Sequence, residues 1–172
     1  RLVGSEMCIR DRIDRVAVFV DPSDQHLDES IRSIDATYIQ LHGNESLKRC
    51  SDIKKLFDLP IIKAFGINSV IDLDTAVHYE DVVDYFLFDG KPDIKNISQK
   101  GGLNKVFDWK ILDSWKGKEF FLAGGININN IKSAINDTNA FCIDISSGVE
   151  KELGIKDSNM IKEIYTEFKA LL

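Results

Sequence analysis

The feature that most constrains this chain is a recurring alternation. Six short runs of β-favouring residues alternate with five amphipathic stretches. The runs are residues 16–20 (VAVFV), 37–41 (TYIQL), 61–65 (IIKAF), 85–89 (YFLFD), 120–123 (FFLA) and 141–145 (FCIDI). Their Val, Ile, Phe and Tyr content favours strands, and their near-continuous apolarity suits strands buried on both faces of a parallel sheet. Between them, residues 24–33, 45–57, 69–77, 129–136 and 157–172 carry apolar residues at helical spacing. Asp21-Pro22-Ser23 is a helix-start signal for the first of these. In the last, Met160, Ile161, Ile164 and Phe168 fall on one stripe. The strand ends are spaced 21 to 34 residues apart, the period of a βα unit, so right-handed parallel crossovers are expected. Nothing divides residues 13–172 compositionally, which predicts one domain.

Two architectures fit: an open doubly wound sheet, or an eight-stranded (β/α) barrel of which two units are absent. Six units favour the first by count, whereas the turns after the last two strands favour the second. Residues 120–123 run into Gly124-Gly125, and residues 141–145 into Ser146-Ser147-Gly148. Glycine lets main-chain N–H groups approach an anion closely, and the loops after strands seven and eight of such barrels commonly hold phosphate. The expected ligand is therefore a small phosphorylated molecule.

Other residues sit where strands open onto that rim. Asp89 follows four apolar residues, and partial desolvation there raises a carboxyl pKa and suits a general acid; a cap for the next loop is the alternative. Asp144 either orients a ligand hydroxyl or bonds neighbouring backbone. Gln40 and His42, two apart, share one face of their strand. His42 is either an acid or base near neutrality or a hydrogen-bonded rim residue. Lys63, a cation inside an apolar run, either pairs with a carboxylate in the barrel or contacts substrate, and pairing is the preferred reading. Residues 90–106 form a longer loop with Gly101-Gly102, which reads as a segment closing over a ligand. Phe107 and Trp109 are expected to anchor the next helix on the core.

The net charge of −6 carries no basic footprint for nucleic acid and no polybasic membrane patch. Apolar runs are too short to span a bilayer. The three cysteines, Cys8, Cys50 and Cys142, are odd in number and widely spaced. They predict neither a disulfide framework nor a metal centre, and fit a cytoplasmic setting. Residues 1–12 (RLVGSEMCIRDR) lack periodicity, resemble a translated adaptor junction, and are expected to be non-native.

Taken in order, VAVFVD, IQLHGNE, IIKAF, FLFD, GG followed by FDW, LAGGI and DISSGVE with GIKD downstream resemble the phosphoribosylanthranilate isomerases. The resemblance runs from about residue 15 to the C-terminus. It implies a (β/α)8 barrel lacking its first two βα units, with six parallel strands. It implies an aldose–ketose isomerase of tryptophan biosynthesis that works without cofactor or metal. An acid protonates the furanose ring oxygen and opens the sugar to a Schiff base; a base then removes the adjacent carbon-bound proton, and the enolamine becomes the ketone. The family's acid falls on Asp89, its phosphate loops on Gly124, Gly125, Ser147 and Gly148, and a sugar-side aspartate on Asp144. Gly101, Gly102, Ser146 and His42 complete the expected ligand contacts. The full-length family is expected to be monomeric or homodimeric.

Three departures stand out. The family's base is a cysteine in a K-I-C-G-like motif, and an arginine follows the second strand; neither has a counterpart, and Cys8 lies only eight residues before Val16. The G-G-T-G-like loop reads Gly101-Gly102-Leu103-Asn104. The expectation is a chain inactive as written, with exposed sheet edges. The alternatives are another phosphate-binding barrel enzyme, such as indole-glycerol-phosphate synthase or thiamine-phosphate synthase, and a non-catalytic module that holds a phosphorylated ligand.

Overall fold

A computed structural model gives the structure and describes residues 13–90 and 106–171. Residues 1–12 and the glycines Gly101 and Gly102 lie outside the described residues. The elements in chain order are β1 (Val16–Phe19), α1 (Asp24–Ile34), β2 (Tyr38–Leu41), α2 (Leu47–Phe57), β3 (Ile61–Ile67), α3 (Val70–Val77) and β4 (Tyr85–Gly90). After a 3-10 turn (Trp109–Ser114) come β5 (Phe120–Leu122), α4 (Ile131–Asn136), β6 (Cys142–Ile143) and a second 3-10 turn (Ser147–Val149). A hairpin of β7 (Glu150–Glu152) and β8 (Ile155–Lys156) precedes α5 (Ser158–Leu171). The six strands expected from the sequence form a sheet ordered β1-β2-β3-β4-β5-β6. Pairings β1 with β2, β2 with β3, β4 with β5 and β5 with β6 are parallel. This is the α/β class the alternation predicts.

By contact density the chain divides into two compact units. Of the described residues, the first comprises those up to Ala64 together with His78–Tyr85; the second comprises Phe65–Val77 and those from Phe86 onward.

In the first unit, helix starts follow the capping chemistry legible in the sequence. Ser23 accepts from the His26 N–H and Ser46 from the Arg49 N–H, each at 3.2 Å. Both helices stop at an aspartate in the left-handed region, Asp35 and Asp58, each at φ 51°. The Ser46 cap starts α2 at Leu47, so Glu45, expected as a helical residue, lies ahead of the helix and turns inward. β1 departs from the expectation of two buried faces: Ala17 and Phe19 are buried, whereas Val18 is 58% exposed. It is the first strand in the sheet order and pairs only with β2 among the described strands.

Buried in this unit is an ion pair. Lys63 Nζ lies 3.2 Å from Glu45 Oε2, with side chains 3% and 1% exposed. The ammonium also donates to the carbonyls of Leu41, Gly43 and Ala64 at 3.3, 2.9 and 3.0 Å. The Glu45 carboxylate accepts the N–H groups of Asp21 and Gly43. The expected pairing of Lys63 with a buried carboxylate is thus found, with Glu45 as the partner. Cys50 is also fully buried, and burial pushes its thiol up to about 11. The folded thiol stays protonated where the unfolded one, near 9, has begun to ionise. The resulting stabilisation is complete below pH 9 and is lost as pH rises to about 11. A fall of roughly 2–3 kcal/mol across that window, absent in Cys50→Ala, is expected from urea unfolding at each pH.

The second unit has an aromatic core. Phe86 and Phe88 of β4 are fully buried and meet the Trp115 ring edge-on at 4.9 and 5.0 Å between centroids. Phe120 lies 5.1 Å from Phe88, and the Trp115 indole N–H is satisfied by the Lys118 carbonyl at 2.8 Å. Trp115, not Trp109, is therefore the tryptophan anchoring the segment after β4. Phe107 is buried as expected, but Trp109 is only half-buried and its indole nitrogen has no hydrogen-bond partner among the described residues. The expected helix there is the 3-10 turn. On α5, Ile164 is buried and Ile161, expected on the same stripe, is exposed.

Candidate functional site

The parallel ladder carries the ends of β4, β5 and β6 to one edge of the second unit. The Ala123 N–H donates to the Phe88 carbonyl, and the Asp144 N–H to the Leu122 carbonyl, both at 2.8 Å. Asp89, Gly124 and Ile145 therefore leave the sheet at the same end. Asp89 and Asp144 are both half-buried.

Gly124 adopts φ 91° and Gly125 φ 68°, a region that L side chains rarely enter. A side chain at 124 has no room in any case: its first carbon would sit 2.5 Å from Asp89 Oδ1 and 2.8 Å from the Gly90 nitrogen. The bare main chain at 124 thus lies directly against the Asp89 carboxylate. The turn is locked by two asparagines. Asn127 and Asn130 each donate from Nδ2 to the Gly125 carbonyl at 3.0 Å, and Asn130 Oδ1 accepts the Asn127 N–H at 2.8 Å. Sequence reading passed over Asn130; an N-x-x-N spacing just after a glycine pair was the available signal.

The second turn abuts the first. A Cβ on Gly148 would collide with the Ile126 carbonyl oxygen and lie 3.1 Å from Asn127 Cα. Ser146 and Ser147 are exposed, and the Val149 N–H closes the turn onto the Ser146 carbonyl at 3.3 Å. The two glycine turns and Asp89, singled out separately in the sequence, are thus neighbours. Gly148→Ala must displace main chain at 126–127. An overpacking loss of about 1–3 kcal/mol is expected, visible as a lower Tm.

His42 belongs to the first unit. Its N–H donates to the Phe19 carbonyl at 2.7 Å, and its ring Nδ1 lies 3.1 Å from Gln40 Nε2. The two side chains share a strand face as the spacing required. The described thiols are poor bases: burial raises Cys50, and burial with the adjacent Asp144 charge raises Cys142. Among the described residues no group of three or more His, Cys, Asp or Glu is placed to hold a metal. Nor is any helix long and apolar enough to cross a membrane.

Comparison with known proteins agrees with this geometry. Residues 6–167 match the family model described as N-(5'-phosphoribosyl)anthranilate (PRA) isomerase. An N-(5'-phosphoribosyl)anthranilate isomerase of Rhodopseudomonas palustris is 37% identical over 163 residues, covering 94% of this chain and 76% of the relative. The crystal structure of the phosphoribosyl anthranilate isomerase from Thermotoga maritima superposes with a TM-score of 0.79 at 30% identity, over 92% of this chain and 74% of that one. A further structure, the same enzyme type in complex with reduced 1-(o-carboxyphenylamino)-1-deoxyribulose 5-phosphate, has a TM-score of 0.76 at 28% identity, over 92% and 73%. Three strand ends that bring a half-buried carboxyl against one glycine turn, which a second glycine turn abuts, and a family model that spans nearly the whole sequence, lead to one conclusion: this chain belongs to the N-(5'-phosphoribosyl)anthranilate isomerase family.

Proposed function

We propose that the second unit supplies the acid and the phosphate grip for the isomerisation of N-(5'-phosphoribosyl)anthranilate. Main-chain N–H groups of the turns at Gly124-Gly125 and Ser147-Gly148 hold the phosphoryl group, with Ser146 at the turn's entry. Asp89 protonates the furanose ring oxygen as the anilino nitrogen pushes its lone pair to form the Schiff base, and Asp144 orients a sugar hydroxyl. The observation that carries this reading is the contact of the bare Gly124 main chain with the Asp89 carboxylate, at 2.5 Å from where a side chain would begin. It puts a proton donor within one residue of an anion-binding turn, the separation a small sugar phosphate needs. His42 is assigned a ligand contact. The free Cys50 and Cys142 fit a reducing compartment, where we place the chain.

The base that removes the carbon-bound proton is assigned to no described residue, since both described thiols are held protonated. That favours a second reading, a module that binds the phosphorylated sugar without turning it over. Two measurements separate them. Binding of the reduced 5-phosphate product analogue is expected in both. Turnover of N-(5'-phosphoribosyl)anthranilate, assayed in the chain joined to an N-terminal segment bearing the family's K-I-C-G cysteine, is expected only for the enzyme. Absence of analogue binding to the joined form would remove both readings.

A further inference from the structure

The hairpin after the second glycine turn has no evident packing role. Leu153 at its tip is 96% exposed and Ile155 is exposed as well, so β7 and β8 contribute little to the core. What the hairpin does is deliver one ammonium. Glu150 pairs with Lys156 across the ladder, and Gly154 makes the reversal at φ 77° while its N–H donates to Glu150 Oε2 at 3.1 Å. Lys156 Nζ then reaches back ten residues. It donates to the Ser146 carbonyl at 2.8 Å, to Ser146 Oγ at 3.0 Å and to Glu150 Oε1 at 2.7 Å. An ammonium has three N–H groups, and each has an acceptor here.

The Ser146 carbonyl also receives the Val149 N–H, in a longer bond of 3.3 Å. On the far side of the turn, the Asp157 N–H donates to the Val149 carbonyl at 2.8 Å. The segment from 146 to 149 is therefore held at both ends by residues of the hairpin's last strand and the position after it.

We propose that Lys156 is the positioning residue of this turn: through Ser146 it fixes the main chain that presents Ser147 and Gly148 to a phosphoryl group, and its charge, partly offset by Glu150, sets the turn's attraction for a dianion. This rests on the phosphate-binding reading of the turn given above. Lys156 does not touch the ligand, because its donors are engaged. Glu150 opposes it: the carboxylate that holds the ammonium also brings a negative charge near the anion.

The test is a titration of the 15N-labelled chain with inorganic phosphate, following the amide signals of Ser147 and Gly148. Saturable shifts are expected for the unmodified chain. Lys156→Met is expected to bind about tenfold more weakly, and Lys156→Arg to return to within about threefold. Glu150→Gln keeps a side-chain oxygen for the Gly154 N–H and removes the opposing charge. It is expected to tighten binding about twofold at low ionic strength, whereas a purely structural ion pair predicts weaker binding when broken. Equal affinity in the unmodified chain and Lys156→Met overturns the role of Lys156 and leaves the phosphate reading standing. Absence of any saturable shift in the unmodified chain overturns both. Should Lys156→Met fail to fold, Glu150→Gln decides alone: tighter binding supports the proposal and weaker or unchanged binding ends it.

Discussion

Asp89→Asn is expected to lower kcat for the isomerisation by about a thousandfold, within the range that a positioned general acid contributes. The substitution keeps the shape of the side chain and leaves an oxygen able to face the Gly124 main chain, so the strand end and its turn should persist. What is lost is the proton delivered to the ring oxygen. Without it the ring opens only by expelling an alkoxide, and Asp89 is the carboxyl that meets the Gly124 main chain. Because that proton moves only on the way to the transition state, kcat and kcat/KM should fall together. Binding of the reduced 5-phosphate product analogue should stay within about threefold, since the proposed phosphate grip is made by main-chain N–H groups rather than by the carboxyl. The assay uses the chain joined to the K-I-C-G segment, where an unmodified Asp89 gives the reference rate. Turnover by Asp89→Asn within tenfold of that reference would remove Asp89 from the acid's role, and an equal loss of analogue binding would recast it as a ligand contact.

Lys63→Met is expected to cost about 3–5 kcal/mol of folding stability, the usual penalty for stranding one member of a buried ion pair. The methionine fills similar volume, so the cost is electrostatic. The Glu45 carboxylate, 1% exposed, would keep only the Asp21 and Gly43 N–H groups as partners. The carbonyls of Leu41 and Gly43 would lose their bonds to the ammonium. The double variant Glu45→Gln/Lys63→Met removes the uncompensated charge and is expected to recover part of the loss, because a neutral amide still accepts the two N–H groups. Urea unfolding with unchanged m-values is the measurement. A loss under 1 kcal/mol for the single variant would mean that water reaches the pair and that it is not sealed as its burial indicates.

Much of the site was legible before any coordinates. The β4 run YFLFD announces a buried strand with a carboxyl at its exit, and the structure has Phe86, Leu87 and Phe88 buried with Asp89 half-buried behind them. The glycines at 124 and 148 mark turns because only glycine tolerates the φ of the first and the carbonyl contact of the second. These are local properties, written in residue type and period. Less legible were the features made by residues far apart in the chain. Glu45 read as the first residue of an amphipathic helix, since its partner lies 18 positions away and the pattern around it is polar. Trp109 sat in a family-like FDW motif and drew attention, whereas Trp115 gave no periodic signal and yet packs against both phenylalanines of β4. The valines of β1 read as doubly buried; they are not, because burial depends on what lies across the sheet face rather than on the strand's own composition.

The order of strands and helices, and the placing of a carboxyl and two glycine turns at strand exits, came from the chain's own pattern, because periodicity and backbone preference act within a few residues. The partners were a matter for the tertiary structure: which carboxylate neutralises Lys63, which ring fills the space beside β4, which main chain meets Asp89, and which ammonium holds Ser146. Such choices depend on close approaches between distant segments, which are settled only when packing excludes water and leaves each buried polar group one available neighbour.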